Sequence, residues 1–288
     1  MLTKRDLDEM FADPALVEEA FWVLQKIVLD TGATSAAATL TLAVRSGTFT
    51  VELRDVVGGE HDVTLRVRPA GGARATDAAE MLVNNDGAPI GFASGDALDA
   101  WRAAVPVGLA ARYLAPAGAR SLGLYGVGAH ARVWLWVLTV ALPSLSIVRI
   151  YGADRSAARE IAAGCRESLV VTVEEEPWPV TTSDVVAVFD EVRSFESRWV
   201  ADETLLFCPE GVPTGLDCVR VVAASGAEPG PPAVALADIL RGEAVARCHG
   251  VELVVYQTGD VPLWDSAFYS WVVRRARQLD RGKLVAFG

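Results

Sequence analysis

The sequence predicts an α/β protein, in which a doubly wound parallel sheet domain is joined to an α+β domain. After Pro116, short and continuously apolar segments alternate with segments of helical period, which is typical of a parallel sheet covered on both faces. Before Pro116, one helical segment precedes several segments that alternate apolar and polar residues, as antiparallel strands do. An amphipathic segment at residues 265–278 ends the pattern and could return to the first domain.

Capping residues and periodicity define the elements before Pro116. Asp13-Pro14 supplies an N-cap and a proline suited to the first helical position, and apolar residues from Leu16 to Val28 then recur at helical spacing. Strand-like alternation follows at residues 39–45, 48–56, 63–68 and 90–93, with turn signals at 47, 58–59 and 84–87. Gly95-Asp96 then precedes a second predicted helix at residues 97–114.

Strands and helices alternate after Pro116. The predicted strands are residues 122–125, 147–151, 169–173, 185–189, 205–207 and 219–223, and the predicted helices include 129–142 and 156–163. We therefore place the α/β domain at residues 116–261. The α+β domain takes residues 1–115 and is completed by residues 262–288.

Composition limits the classes of partner. The formal net charge of −11 and the pI near 4.8 argue against a nucleic-acid binder, because such proteins present basic surfaces. No apolar run reaches the roughly 20 residues that a membrane span needs. The N-terminal segment also lacks an apolar signal core. We expect a cytoplasmic protein that binds neither nucleic acid nor membrane.

The cysteines and histidines do not form a metal-binding pattern. The four cysteines contain no C-x-x-C pair, and only three histidines accompany them. Cys248 and His249 are neighbours, but adjacent side chains in a strand point to opposite faces. We predict no metal site and thiols that stay reduced.

A glycine turn at Gly126 carries the main functional signal. The segment Gly126-Val-Gly128-Ala129-His130-Ala131 follows a short apolar strand and opens a helix, which is the context of a dinucleotide-binding turn. Gly126 would allow the tight turn, Gly128 would let the backbone approach a pyrophosphate, and Ala131 is small enough for helix–strand packing. These features predict a Rossmann-type domain that binds NAD or NADP at the helix N-terminus. The alternative is a strand-to-helix turn without a ligand.

The choice between NAD and NADP stays open at this stage. Gly152 stands where an acidic residue would bond the ribose hydroxyls, while Asp154 and Arg155 come slightly later. Asp154 suits a free ribose and Arg155 suits a 2′-phosphate. Either residue could instead lie on the surface before the next helix, with Asp154 as its cap.

Three segments resemble the ornithine cyclodeaminase/μ-crystallin family. They are DALDAWRAAVPVGLAARYLAPAGARSLGLYGVGAHARVWLWVL, ALADILRGE and VVYQTGDVPLWDSAFYSWVVRRARQLDRGK, and their order matches the family over nearly the whole chain. The resemblance implies a Rossmann domain, a substrate domain made from both chain ends, a homodimer, and NAD(P) chemistry at a carbon–nitrogen bond.

Several positions depart from the family pattern. His130 stands where the family usually has Gln, and Ala103 replaces the Thr of an Arg-Thr pair. The family's substrate-binding Lys is missing, so Arg66 or Arg68 could substitute for it. Glu210 lies nearest to the place of the family's catalytic Asp. These departures predict that the substrate, and even the reaction type, has diverged.

Roles for individual residues follow from this comparison. Arg102 would pair with a substrate carboxylate, or would be an ordinary helix-surface arginine. Glu210 follows a predicted sheet strand and could move a proton at nitrogen, or could be a polar loop residue. His130 could touch cofactor or substrate, or could simply occupy the first helical turn.

The resulting prediction is an NAD(P)-dependent oxidoreductase that transfers hydride at the C=N or C–N bond of an imine or amino-acid-like substrate. One alternative is a cyclodeaminase, in which the bound cofactor is oxidised and reduced again while ammonia leaves. The other is a non-catalytic nucleotide-binding protein of the μ-crystallin type. Cofactor consumption separates the first two, because only a reductase consumes NAD(P)H stoichiometrically.

Overall fold

The chain divides into two compact units in a computed structural model. The structure describes residues 1–30, 37–44, 47–55, 62–69, 78–84, 86–189, 195–208, 216–223, 233–247, 252–257 and 262–283. Unit 1 comprises Met1–Val105 and Asp260–Gly288, and unit 2 comprises Pro106–Gly259. The predicted boundaries at residues 116 and 262 stay predictions, because a division by packing does not test which segment folds or functions alone.

The predicted antiparallel sheet and the predicted parallel sheet are both present. Before the glycine turn the elements are α1 (Lys4–Phe11), α2 (Pro14–Asp30), β1 (Ala37–Val44), β2 (Gly47–Asp55), β3 (Val63–Pro69), β4 (Ala79–Val83), β5 (Pro89–Ser94), α3 (Gly95–Leu114) and β6 (Ser121–Tyr125). After it come α4 (Ala131–Ala141), β7 (Ile147–Tyr151), α5 (Arg155–Ala163), β8 (Val170–Val173), α6 (Trp178–Thr181), β9 (Val185–Val188), β10 (Leu205–Cys208), β11 (Val219–Val222), β12 (Val234–Ala235), α7 (Leu236–Leu240), β13 (Val254–Gln257) and α8 (Pro262–Gln278). The predicted α/β class is confirmed.

Unit 1 contains two elements that the sequence pattern did not predict. Helix α1 begins with a capping box, in which the Thr3 side chain accepts from the Asp6 N–H and the Asp6 carboxylate accepts from the Thr3 N–H. Strand β4 was missed because it buries the charged residue Glu80, which breaks the expected apolar alternation.

In the antiparallel sheet of unit 1, charged side chains lie on the buried face and apolar side chains lie on the partly exposed face. Its strands lie in the order β1-β2-β3-β4-β5, and Glu52, Arg66 and Glu80 face each other across three adjacent strands. These charged side chains are buried on the face that α8 packs against. The opposite face carries partly exposed apolar side chains at Val51, Leu53, Leu65, Val67, Met81 and Val83. In an ordinary one-sided sheet the apolar face is the buried one.

The parallel sheet of unit 2 places the glycine turn at a topological switch point. Its strand order is β12-β11-β13-β10-β9-β6-β7-β8, and each observed pairing is parallel. The chain runs outward from β6 through β7 to β8 and then returns to β9 on the other side of β6. Open α/β sheets bind ligands at the carboxyl ends of the strands where the order reverses in this way.

Asp184 joins the starts of β6 and β9. Its Oδ2 accepts the N–H groups of Arg120 and Ser121 and the Ser121 hydroxyl, each at 2.8 Å. Its own N–H donates to the Ser121 Oγ at 2.9 Å. Burial alone would raise the pKa of Asp184, but these hydrogen bonds outweigh it and hold the pKa below its ordinary value of 3.8.

Asp184→Asn should lower the free energy of unfolding by about 1–2 kcal/mol, because it removes charge-assisted hydrogen bonds. A carboxyl whose pKa is lowered by folding stabilises fully above its ordinary pKa, and this contribution disappears as the pH falls through the folded value. Urea unfolding at pH 7 and at stepwise lower pH would measure both stabilities. A difference between wild type and variant that persists unchanged to low pH would contradict this role.

The described part of the chain contains no helix that is both long and apolar enough to cross a membrane.

Candidate functional site: a glycine turn in one unit and a buried charge cluster in the other

Gly126 forms the tight turn directly after β6. Its φ of +96° lies in the left-handed region, which residues with a Cβ rarely adopt. The Gly126 N–H donates to the Tyr151 carbonyl at the end of β7, at 2.7 Å. The turn is thereby held to the neighbouring strand and is not a flexible connection.

Gly128 lies where the turn approaches the next strand. A Cβ built on Gly128 would lie 3.2 Å from the Cβ of Phe189, which is tighter than most real contacts. The Phe189 ring also packs edge-on against Trp134 of α4, with ring centroids 5.1 Å apart. The absence of a side chain at Gly128 therefore serves internal packing as well as any close approach by a ligand.

Helix α4 begins immediately after the turn. His130 is its N-cap residue and makes no side-chain capping hydrogen bond, while Ala129 lies exposed in the turn. Ala131 is fully buried, as predicted for the residue where helix meets sheet. The backbone N–H groups of the first turn of α4 thus meet no side-chain cap from His130, which leaves a helix end suited to an anion.

These features fit the pyrophosphate of a dinucleotide. A left-handed glycine, a second glycine at which a Cβ would be tightly packed, and an eleven-residue helix that begins at a switch point together form the backbone arrangement that this fold uses for phosphates. Gly126, Gly128, Ala129, His130 and Ala131 would hold it.

The next strand end carries the predicted ribose-side residues. Asp154 is the N-cap of α5, and its Oδ1 accepts the N–H groups of Ser156 and Ala157 at 3.0 Å each. The Arg155 guanidinium donates to the carbonyls of Glu174 and Glu175 at 2.7 and 3.1 Å. Both residues therefore have structural partners, as the surface alternative anticipated.

Arg102 lies within a buried cluster of charges in unit 1. Its Nη1 donates to Glu80 Oε1 at 3.0 Å, its Nη2 is paired with Asp99, and its Nε lies 3.8 Å from Asp265 Oδ1. Arg66 approaches the same acids, at 3.4 Å from Glu80 and 3.7 Å from Asp99. Arg102 is thus not an ordinary surface arginine, since only 12% of its side chain is exposed.

Glu52 extends the cluster along strand β2. Its carboxylate pairs with Arg54 at 2.8 Å and with the half-exposed Arg68 at 3.0 Å, and Arg54 reaches Asp265 at 3.0 Å. Burying charges in this way is costly unless each has a partner, and these charges alternate in sign across the sheet. The structure therefore brings the three predicted arginines, Arg66, Arg68 and Arg102, into one connected network.

Tyr269 of α8 bonds to the backbone of β4 beside the cluster. Its hydroxyl donates to the main-chain carbonyl of Glu80 at 2.8 Å. Burial, reinforced by the nearby Glu80 charge, raises the pKa of Tyr269 far above its ordinary value, so the phenol stays protonated and remains a donor.

The predicted acid Glu210 lies outside the described residues. It follows Cys208, the last residue of β10, by two positions. Burial raises the pKa of Cys208 to about 12, with a smaller contribution from Cys218, so this thiol is not a nucleophile at neutral pH. Among the described residues no group of His, Cys, Asp and Glu could hold a metal ion.

Sequence reasoning missed several residues that shape these regions. Glu80, Asp99 and Asp265 carry no motif, and their only signal is a charge within an otherwise apolar segment. Phe189, which packs beside Gly128, and Val127, which packs beside Gly152, have no signal either, because an apolar residue beside a glycine turn is also typical of an ordinary core. Their contacts depend on strands that are distant in sequence.

Comparison with known proteins gives a family. The model of the ornithine cyclodeaminase/mu-crystallin family matches residues 66–211, which is half of the chain. This chain belongs to that family. The resemblance found in the sequence is therefore confirmed, and the prediction of an NAD(P)-dependent oxidoreductase or cyclodeaminase-like enzyme is confirmed at the level of the family. No curated protein matches the sequence significantly.

Solved structures of similar fold cover almost the whole chain. The Δ1-pyrroline-2-carboxylate reductase of Thermococcus litoralis, in complex with NADH and L-proline, has a TM-score of 0.77 at 17% identity and covers 99% of both chains. An archaeal alanine dehydrogenase dimer with bound NAD has a TM-score of 0.77 at 17% identity, and the match covers 100% of this chain and 98% of that chain. A probable ornithine cyclodeaminase from Bordetella pertussis Tohama I has a TM-score of 0.74 at 20% identity, and the match covers 98% of this chain and 99% of that chain. At these identities the likeness shows the shared fold.

Gly128→Val should weaken NADH binding by roughly a hundredfold or more, because a branched side chain would fill the space that the pyrophosphate needs. Fluorescence titration of the purified protein with NADH would measure the affinity, and the thermal midpoint would report the fold. Since the new side chain would also press on Phe189, the double variant Gly128→Val/Phe189→Ala serves as the control. Recovery of binding in the double variant would show that packing, and not the phosphate, requires this glycine.

Proposed function

We propose that this protein is an NAD(P)-dependent oxidoreductase that transfers hydride at the C=N or C–N bond of an imine or amino-acid-like substrate. The observation that carries the proposal is the turn at Gly126, whose left-handed φ and following helix stand at the switch point of the parallel sheet in a member of this family. When bound, the nicotinamide would supply or accept the hydride. The protein would orient the substrate against the nicotinamide, bind the charged groups of the substrate, and give or take the proton at the substrate nitrogen.

The arginines of the charge cluster are proposed to bind the substrate. Arg102 and Arg66 would hold a carboxylate, and Arg68 would add positive charge from the half-exposed edge of the cluster. Glu80 and Asp99 hold the Arg102 guanidinium in one orientation, so less conformational entropy is lost on binding. The same acids compete with a substrate carboxylate, so substrates that also carry a positive nitrogen should bind better than simple carboxylic acids.

Glu210 is proposed to move the proton at the substrate nitrogen. It follows β10, which pairs with β9, the strand beside β6. In parallel sheets the residues after such strands lie at the ligand-binding edge, which supports this role. A carboxyl group there can give its proton to nitrogen as hydride reaches the carbon, and can take it back in the reverse direction.

A cyclodeaminase is the second candidate, because the probable ornithine cyclodeaminase from Bordetella pertussis shares the fold over nearly its whole length. The two functions differ in cofactor use. Incubation with cyclic imines and with diamino acids, followed by NAD(P)H absorbance and ammonia release, would separate them. Stoichiometric NAD(P)H consumption supports the reductase, ammonia release without net consumption supports the cyclodeaminase, and tight nucleotide binding without either supports a μ-crystallin-like binding protein.

Arg102→Lys and Glu210→Gln should impair the reaction in different ways. Arg102→Lys keeps the charge but loses the planar fork, so it should raise KM by an amount equivalent to about 1.5–3 kcal/mol. Glu210→Gln keeps the shape but loses the proton, so it should lower kcat by about 10²–10⁴-fold with cofactor affinity unchanged. Steady-state kinetics with a cyclic imine carboxylate would measure both.

Arg112→Lys, the same substitution in the last turn of α3, is the control for Arg102→Lys. If Arg102→Lys lowers the thermal midpoint and leaves KM unchanged, Arg102 serves only the buried ion pairs with Glu80 and Asp99. Full activity in Glu210→Gln would exclude this residue as the acid.

A homodimer formed through the sheet of unit 1 is also proposed. The partly exposed apolar face runs across β2, β3 and β4 and continues onto edge strand β1, where Leu40 and Leu42 are 52% and 48% exposed. An apolar face of this extent needs a cover, and a second copy offers an identical face. The archaeal alanine dehydrogenase of this fold is a dimer, which supports the proposal.

Light scattering should report twice the chain mass of 30.6 kDa at micromolar concentration. Leu65→Lys places a charge in the centre of the apolar face and should reduce the mass to that of one chain. Val170→Lys, at a 64% exposed apolar residue on the edge strand β8 of the other sheet, is the matched control and should leave the mass unchanged. A 30.6 kDa wild type would contradict the dimer.

Localisation in the cytoplasm is proposed from the thiols. Cys165, Cys208 and Cys218 are free, and burial raises the pKa of each. Thiols that make no disulfide are typical of a reducing compartment.

A further inference from the structure

Position 152, directly after β7, is where this fold commonly carries the acid that bonds the adenosine ribose, and it has no room for a side chain. An ideal Cβ on Gly152, the residue directly after β7, would lie 2.9 Å from both Cγ methyl groups of Val127. Any side chain at position 152 would therefore collide with the middle residue of the glycine turn. The acid that this fold commonly uses for the adenosine ribose has to come from elsewhere.

Asp154 is the next acid in the sequence, two residues after Gly152. Its Oδ1 caps helix α5 by accepting two backbone N–H groups, so the position of the carboxylate is well defined. Within the described part of the chain its Oδ2 makes no hydrogen bond, and the residue is exposed. One carboxylate oxygen is thereby held in place, and the other can accept a hydrogen bond from a hydroxyl.

Arg155, the residue suited to bind the 2′-phosphate of NADP, is bonded to the protein backbone instead. Its two terminal nitrogens both donate to backbone carbonyls of the segment after β8, those of Glu174 and Glu175. These bonds occupy two of the five guanidinium N–H groups and orient the side chain toward residues 174 and 175, so a 2′-phosphate would compete with the carbonyls for it. The guanidinium instead ties the end of β8 to the start of α5.

A run of acids directly follows β8 at this edge of the sheet. Glu174, Glu175 and Glu176 are consecutive, and with Asp154 they place four acids near Arg155 in the chain segments that follow β7 and β8. A phosphate monoester carries about −1.5 to −2 charges at neutral pH and would meet this negative surface. A ribose with free hydroxyls would not be repelled.

From this arrangement we infer that the protein selects NAD over NADP, with Asp154 accepting from the adenosine ribose and Glu174–Glu176 repelling a 2′-phosphate. The inference rests on the proposed function, because it assumes that the glycine turn binds a dinucleotide. It adds the identity of that dinucleotide and the residues that choose it.

Binding of NADH and NADPH to the purified protein, measured by fluorescence titration or calorimetry without substrate, tests the inference. NADH should bind at least about tenfold more tightly than NADPH. Asp154→Ser keeps a helix-capping oxygen but removes the charge, so it should weaken NADH binding by about five- to tenfold and lose much of the selectivity. Glu167→Gln removes an exposed charge elsewhere in unit 2 and should change neither affinity.

The acidic run and the steric block at Gly152 are tested separately. Replacing Glu174, Glu175 and Glu176 together by Gln should tighten NADPH binding by about tenfold or more at low salt and by less at high salt, with NADH nearly unchanged. Gly152→Asp alone should weaken NADH binding, and Val127→Ala/Gly152→Asp should restore it by relieving the collision.

NADPH binding as tight as NADH binding in the wild type, or an Asp154→Ser variant with unchanged selectivity, would overturn the inference alone. Binding of neither nucleotide would overturn the proposed function and this inference together.

Discussion

The turn at Gly126 is the constraint on which the arrangement of the parallel-sheet unit depends. Its left-handed φ allows the chain to leave β6 and enter α4 while the Gly126 N–H still reaches the Tyr151 carbonyl of the neighbouring strand. Phe189 then packs against Gly128 from the strand on the other side. The turn is held between two strands, so the N-terminus of α4 has a defined direction before any ligand arrives. A site prepared in this way loses little conformational entropy on binding.

The charge cluster of unit 1 is governed by a different constraint, the cost of burying charged groups. Four acids and three of the four arginines in the cluster are largely buried, with Arg68 half-exposed, and the mutual attraction of these charges has to offset the loss of hydration. Replacing such a network by apolar residues is often neutral or stabilising, so stability gives little reason to retain it. A requirement for oriented guanidinium groups is a better reason. The cluster lies on the sheet face that α8 covers, while the opposite face carries partly exposed apolar side chains.

Local sequence signals predicted six of the eight described strands of the parallel sheet to within one residue at each end, because buried parallel strands are short, apolar and separated by helices; β12 and β13 were not among them. They also predicted the glycine turn, since strand, glycines and helix are contiguous. They failed at β4, where Glu80 is buried only because Arg66 and Arg102 come from other elements to meet it. They could not show either that Arg155 donates to the carbonyls of residues 174 and 175, because those residues are distant in the sequence.

The sequence by itself determined the fold class, the family and the position of the glycine turn. Each of these is encoded in contiguous segments, through period, capping and glycine spacing. Only the tertiary structure decided which charges pair, which face of the antiparallel sheet is buried, and that Val127 closes position 152 to a side chain. These outcomes are contacts between residues far apart in the chain, and their energies depend on distance and burial that no local pattern carries.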